Sequence, residues 1–168
     1  MREDIKSFIC DVAKPGRYTG GEPESVYKDK EKMDCRVAFC FPDTYEIGMS
    51  NLGMRILCGV LNRMENVWCE RVFAPWVDME EQMRKRNIPL YAHESGDAVK
   101  DFDIVAITLQ YELCYTTALN MLDLAGIPMV ADERDDSMPI ILAGGPCAYN
   151  PEPMAPFVDI FSLETADL

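Results

Sequence analysis

The sequence predicts an α/β fold: a five-stranded parallel sheet with helices on both faces, preceded by an irregular arm. Two observations carry that expectation. From Cys35 onward, apolar runs alternate with segments of helical period, the pattern of repeated strand–helix–strand units. The runs are also nearly continuous in apolar character, as strands covered on both faces must be. Each right-handed crossover lays its helix against the sheet, and five strands suit the order 2-1-3-4-5.

The elements can be justified in order. Residues 1–34 include "KPGRYTGGEPESVYKDKEKMD", rich in glycine, proline and charge without a sustained period. They read as a tethered surface arm, in which Arg17-Tyr18 is the pair suited to dock on the body. The domain proper spans residues 35–168. "CRVAFCF" (35–41) is strand one. The helix after it places Leu52, Ile56, Val60 and Met64 on one stripe with Leu57 and Leu61 beside it, and Ser50 or Asn51 can cap its start. "VWCERVFA" (67–74) is strand two. "WVDMEEQMRKRN" (76–87) is a short helix with Trp76, Met79 and Met83 on one face, acids early and bases late, as its dipole favours. "IPLYAHES" (88–95) reads as a loop or short extension. "DIVAITL" (103–109) is the clearest strand. "YELCYTTALNMLDLAG" (111–126) fits a helix with Ala118, Leu119 and Leu122 inward, stopped by Gly126 and Pro128. "PIILAGG" (139–145) and "FVDIFSL" (157–163) supply strands four and five.

Composition sets the outer limits. At 168 residues the chain fits one domain, which at this size buries about 70% of its unfolded surface. Hydrophobic content of 48% with 27% charged residues is that of an ordinary globule. No apolar run approaches the roughly 20 residues that span a bilayer. Met1-Arg2-Glu3-Asp4 leads into no secretory core, so the expected compartment is the cytoplasm. A net charge of −13 repels phosphate backbones and anionic membranes, which argues against nucleic acid and lipid as partners. The seven cysteines include no Cys-x-x-Cys pair, and most fall within apolar runs, where cysteine acts as a small hydrophobe rather than a zinc ligand.

In a sheet of this order, ligands sit beyond the carboxyl ends of the strands, at the switch point between strands one and three. Three loops leave strand ends near it. The first, Pro42 to Gly48, sets Asp43 and Tyr45 before Gly48 at the start of a helix, where amides attract anions; equally, Asp, Pro and Gly simply make turns. The second carries Thr108, Gln110, Tyr111, Glu112 and Tyr115, either a polar pocket wall or a helix cap. The third opens on Gly144-Gly145, which leaves room for a flat ligand or for neighbouring backbone. Neither G-x-G-x-x-G nor a Walker loop occurs, and the first loop lacks the Ser/Thr clustering of a flavin-phosphate site. His93 lies in a charged loop with no nucleophile to serve and reads as solvent-exposed. Cys147 beside the glycines has no local cation to activate it. No catalytic or metal-ligating residue is assigned.

Together these segments resemble the N-terminal region of cobalamin-binding-type radical SAM proteins, an iron-sulfur oxidoreductase family. The likeness covers nearly the whole chain: "KPGRYTGGE" (14–22), "FPDTYEIGMSNLGMRIL" (41–57), "CERVFAPWVDME" (69–80), "ITLQYEL" (107–113), "NMLDLAGIP" (120–128) and "AGGPCAYNPEPMA" (143–155). It implies a Rossmann-like, flavodoxin-like module of the cobalamin-binding type ahead of a radical SAM barrel, which uses a four-iron cluster and S-adenosylmethionine. The chain has no Cys-x-x-x-Cys-x-x-Cys and stops at "FSLETADL", so that catalytic half is expected to be absent, and the chain reads as a fragment.

The resemblance places the cofactor-binding residues at Asp43, Tyr45, Gly48, Thr108, Gln110, Gly144 and Gly145. Histidine-ligating cobalamin domains carry Asp-x-His-x-x-Gly; here Asp43, Tyr45 and Gly48 hold that spacing, with a phenol where imidazole would ligate cobalt. Two functions follow from the likeness. The chain is an accessory module that holds cobalamin, base-off and without a histidine ligand, through the loops at 43–48, 108–112 and 144–150, or docks on the missing barrel. Alternatively it has lost the ligand and acts as an interaction module through "CERVFAPWVDM", where Arg71, Phe73, Trp68 and Trp76 are the interface anchors.

Overall fold

The computed structural model describes residues 2–163. Its sheet is five-stranded and wholly parallel, in the expected order β2-β1-β3-β4-β5. The strands are β1 Cys35–Phe41, β2 Val67–Phe73, β3 Ile104–Thr108, β4 Ile140–Gly144 and β5 Ile160–Phe161. The helices are α1 Tyr45–Ser50, α2 Leu52–Arg63, α3 Val77–Arg86 and α4 Tyr115–Ala125, with short 3-10 turns between elements.

Side chains alternate across the sheet. Ala38 and Cys40, Val105 and Ile107, and Ile141 and Ala143 face the larger core, where Met79 and Met83 of α3 meet Ala118, Met121 and Leu122 of α4. Val37, Phe39, Phe41 and Ala106 face a smaller core with Met54 and Cys58 of α2. The helix stops behave as their residues dictate. Gly126 ends α4 at φ +73 and Asn87 ends α3 at φ 53, both left-handed, while the Asn51 carboxamide accepts from Met54 N at 2.9 Å to start α2.

Helix α2 corrects the expected stripe. Leu52, Ile56 and Leu57 face outward, Leu52 being 66% exposed, while Met54 and Cys58 turn to the sheet. The cause is Asn62. Its amide donates to Cys69 O and its carbonyl accepts from Cys69 N, both at 2.9 Å, so Asn62 must face β2. Met54, Cys58 and Asn62 share one line of the helix. A stripe two residues away lies about 200° around it, on the solvent side.

The arm is also different from the sequence reading. Ile5, Phe8, Ile9 and Val12 enter the larger core, and the Arg86 guanidinium lies 4.5 Å from the centre of the Phe8 ring. These residues sit on turns too short for any period to show. Tyr18 is buried and its hydroxyl accepts from Trp76 N at 3.1 Å, and Arg17 reaches Glu46 at 2.9 Å, so this pair does dock the arm. Trp76 precedes α3 and is half exposed rather than inward, with Arg17 over its ring.

Two charged residues lie inside strand two. Glu70 is fully buried, where desolvation raises its pKa; it pairs with Arg36 at 2.5 Å and accepts from Ser95 N at 2.8 Å. Arg71 donates to Glu94 at 2.6 Å. Trp68, Phe73 and Arg71 are thus buried, and of the four anchors expected at the interface only Trp76 reaches the surface.

Candidate functional site

The three loops at the strand ends do gather at one rim, and they are tied to one another. Tyr111 donates its hydroxyl to Asp43 Oδ2 at 2.7 Å, joining the second loop to the first. That hydrogen bond, and then burial, push the Tyr111 phenol up to about 12. The other Asp43 oxygen accepts from Thr44 N at 2.7 Å, and its carbonyl accepts from Ala74 N at 3.0 Å. Leu109 N donates to Gly144 O at 2.7 Å and Cys147 N to Leu109 O at 3.0 Å, which joins the second loop to the third. Gln110 donates to the buried Thr108 hydroxyl.

The glycines serve internal packing. Gly145 has φ +97, and a Cβ there would stand 2.9 Å from Leu109 O. The space expected for a flat ligand is taken by this backbone. A Cβ at Gly48 would lie 2.5 Å from the Phe73 ring, so glycine lets α1 rest on that ring.

Tyr45 points beneath the rim into a polar cluster that the sequence did not reveal. Its hydroxyl donates to Glu22 Oε1 at 2.8 Å, and His93 Nε2 meets the same oxygen at 2.7 Å. The Tyr45 and Phe73 rings flank the His93 ring, with centroids 5.2 and 5.5 Å away. Arg71 approaches the other Glu22 oxygen at 3.7 Å. Burial raises the Glu22 pKa, but hydrogen bonds from His93 and Tyr45 outweigh it and draw the carboxyl down to about 2. Burial and the Glu22 contact push Tyr45 up to about 12. His93 is therefore buried, not solvent-exposed, because the arm folds Glu22 over it. A glutamate in an arm of no period gave no sign of this meeting.

As they stand, these groups close the rim on itself. The Tyr45 phenol is committed to Glu22 and the Asp43 carboxylate to Tyr111 and Thr44, so neither offers a ligand to a cobalt above. The residues present do not fit a cobalamin ligated through this loop. Among the described residues, no three His, Cys, Asp or Glu side chains converge as a metal site, and no helix is long and apolar enough to cross a membrane.

The open surface lies elsewhere, on the face of the sheet that carries α2. In a parallel sheet, residues in register share a face. One row runs Val37–Ile104–Ile140 and the next Phe39–Ala106–Leu142–Ile160. Exposure climbs along both. It goes from 5% at Val37 through half-buried Ile104 to 47% at Ile140, and from 7% at Phe39 to 49% at Ile160. On the opposite face Ala38, Val105 and Ile141 are all at 1% or below. Among the described residues, α2 covers β2 and β1 and reaches as far as half-buried Leu142, while Ile140 of β4 and Ile160 of β5 stay exposed.

Fold and surface together define a Rossmann-like α/β domain whose rim loops are hydrogen-bonded to one another and whose α2 face is half covered. The chain belongs to the radical SAM proteins' N-terminal family, whose profile matches residues 53–167. An uncharacterized protein of Methanocaldococcus jannaschii is 30% identical over 132 residues. That match takes in 77% of this chain and 24% of the relative, so the chain spans about a quarter of the protein it resembles. No solved structure matches.

Proposed function

We propose that this domain is a docking platform for the remainder of a radical SAM protein, and that the bare β4–β5 face is where that remainder packs. The observation that carries the reading is the rise in exposure along the two apolar rows, from Val37 to Ile140 and from Phe39 to Ile160. A parallel sheet needs both faces covered, and isoleucine in water forgoes about 1.5–3 kcal/mol per side chain. The occupant is the polypeptide that follows the matched region in longer relatives, since this chain spans only 24% of one of them. The four-iron cluster and S-adenosylmethionine implied by the resemblance belong to that part. The chain's own share is to present a rigid apolar surface; the closed rim supports this over cofactor holding.

The test is calorimetric titration of the chain with the separately produced remainder of the Methanocaldococcus jannaschii relative. Association is expected, with the negative heat-capacity change of apolar burial, and weakened at least about tenfold by Ile140→Glu or Ile160→Glu while the circular dichroism is unchanged. Equal affinity of both variants, or no association of the parent chain, overturns the proposal.

A further inference from the structure

A second feature lies on the other flank of α2. An open cleft of about 340 Å³ runs between α2, the arm and β2, lined by Leu52, Ile56, Val26, Arg55, Cys58 and Cys69, among others. At its floor the Cys69 thiol donates to the Cys58 sulfur at 3.3 Å. Among the described residues this is the one sulfur–sulfur hydrogen bond, and all seven cysteines are free thiols. The meeting is built in. Cys58 faces the sheet on the same line of α2 as Asn62, whose side chain clamps both backbone groups of Cys69. The clamp leaves the two sulfurs little freedom to part. A bond at about 2.05 Å requires them to close only part of the remaining distance.

We propose that Cys58 and Cys69 are an oxidation site that takes a low-molecular-weight disulfide of the glutathione type and converts to an intramolecular disulfide. Cys58, 7% exposed at the floor of the cleft against 2% for Cys69, attacks one sulfur of the small disulfide and expels the first thiolate. The Cys69 sulfur then attacks Cys58 Sγ and expels the second. Two protein thiols and one small disulfide become one protein disulfide and two small thiols, which carry away both protons and both electrons. The product fastens α2 to β2 covalently, beside the Asn62 side chain that already clamps the Cys69 backbone. The hydrogen bond to Cys58, and then burial, hold the Cys69 thiol well above its ordinary pKa, which disfavours it as the first attacker.

The chain is equilibrated in glutathione buffers from fully reduced to disulfide-rich, quenched in acid, alkylated and mapped by mass spectrometry. The expected result is a Cys58–Cys69 crosslinked peptide that appears with oxidation and vanishes on returning to reduced glutathione. In Cys69→Ser the reaction is expected to stop as a glutathione adduct on Cys58. Exposed Cys10, with no partner, is the internal control and forms only an adduct. The inference is overturned if Cys58 and Cys69 stay alkylatable when Cys10 is already modified and the chain is still folded. It is equally overturned if the parent chain stops at the Cys58 adduct. Should Cys69→Ser unfold, the peptide map of the parent chain decides alone.

Discussion

Gly48 and Gly145 look alike in the sequence, each a glycine near a loop, yet the structure uses them differently. At Gly48 the ring of Phe73 fills the Cβ position; at Gly145 a left-handed φ and the Leu109 carbonyl forbid one. Gly59, in the middle of α2, has nothing within 4 Å. We therefore expect Gly48→Ala and Gly145→Ala each to cost about 1–3 kcal/mol in urea unfolding, and Gly59→Ala to gain roughly 0.5–1 kcal/mol. Equal effects at all three sites would refute the packing described. Glu22 supplies a pH test. Its folded pKa, about 2, lies below its ordinary 4.5, so its contribution to stability is full above pH 4.5 and is lost as pH falls toward 2. Urea midpoints measured across that window should fall for the parent chain, and Glu22→Gln should flatten the part of the slope that Glu22 contributes. Proximity of His93 to Glu22 was not legible because it joins residues 71 positions apart. Asp43 and Tyr45 were legible as loop residues, but not the internal partners that occupy them.

At the scale of elements, α2 shows how period differs from phase. Apolar residues at 52, 56, 60 and 64 announce a helix correctly, but a second line through 54, 58 and 62 competes for the sheet. Asn62 decides, because its carboxamide reaches the β2 backbone only when that line faces inward. Met54→Ala should accordingly cost about 2–5 kcal/mol, whereas Leu57→Glu should stay within about 0.5 kcal/mol of the parent. Chemical denaturation of the two variants checks this; the reverse order would restore the stripe expected from periodicity. Strands one to four were read to within a residue at each end because a two-sided parallel sheet needs continuous apolar runs whichever way each residue points. The run read as strand five, 157–163, pairs only at Ile160–Phe161.

For the molecule as a whole, the arm is part of the main core rather than an attachment to it. Phe8 is 1% exposed and Ile5 is fully buried beside α3 and α4. Phe8→Ala is expected to lower stability by about 3–5 kcal/mol, measured by thermal or urea unfolding. A loss below about 0.5 kcal/mol would mean that the arm does not contribute to that core. The half-covered α2 face complements this. The arm, α3 and α4 seal one side, while Ile140 and Ile160 on the other remain in water, where a further layer of protein is proposed to lie.

By itself the sequence determined the class, the strand order and the positions of α2, α3 and α4, because those depend on local period and on the few topologies that short crossovers permit, while α1 fell in a stretch read as a loop. Its motifs also carried the family likeness. Only the tertiary structure decided which side of α2 faces the sheet, that the arm enters the core, that the rim loops bond to one another and that two cysteines meet. Each of those depends on contacts between segments far apart in the chain or on side-chain direction, and neither is encoded in the spacing of apolar residues.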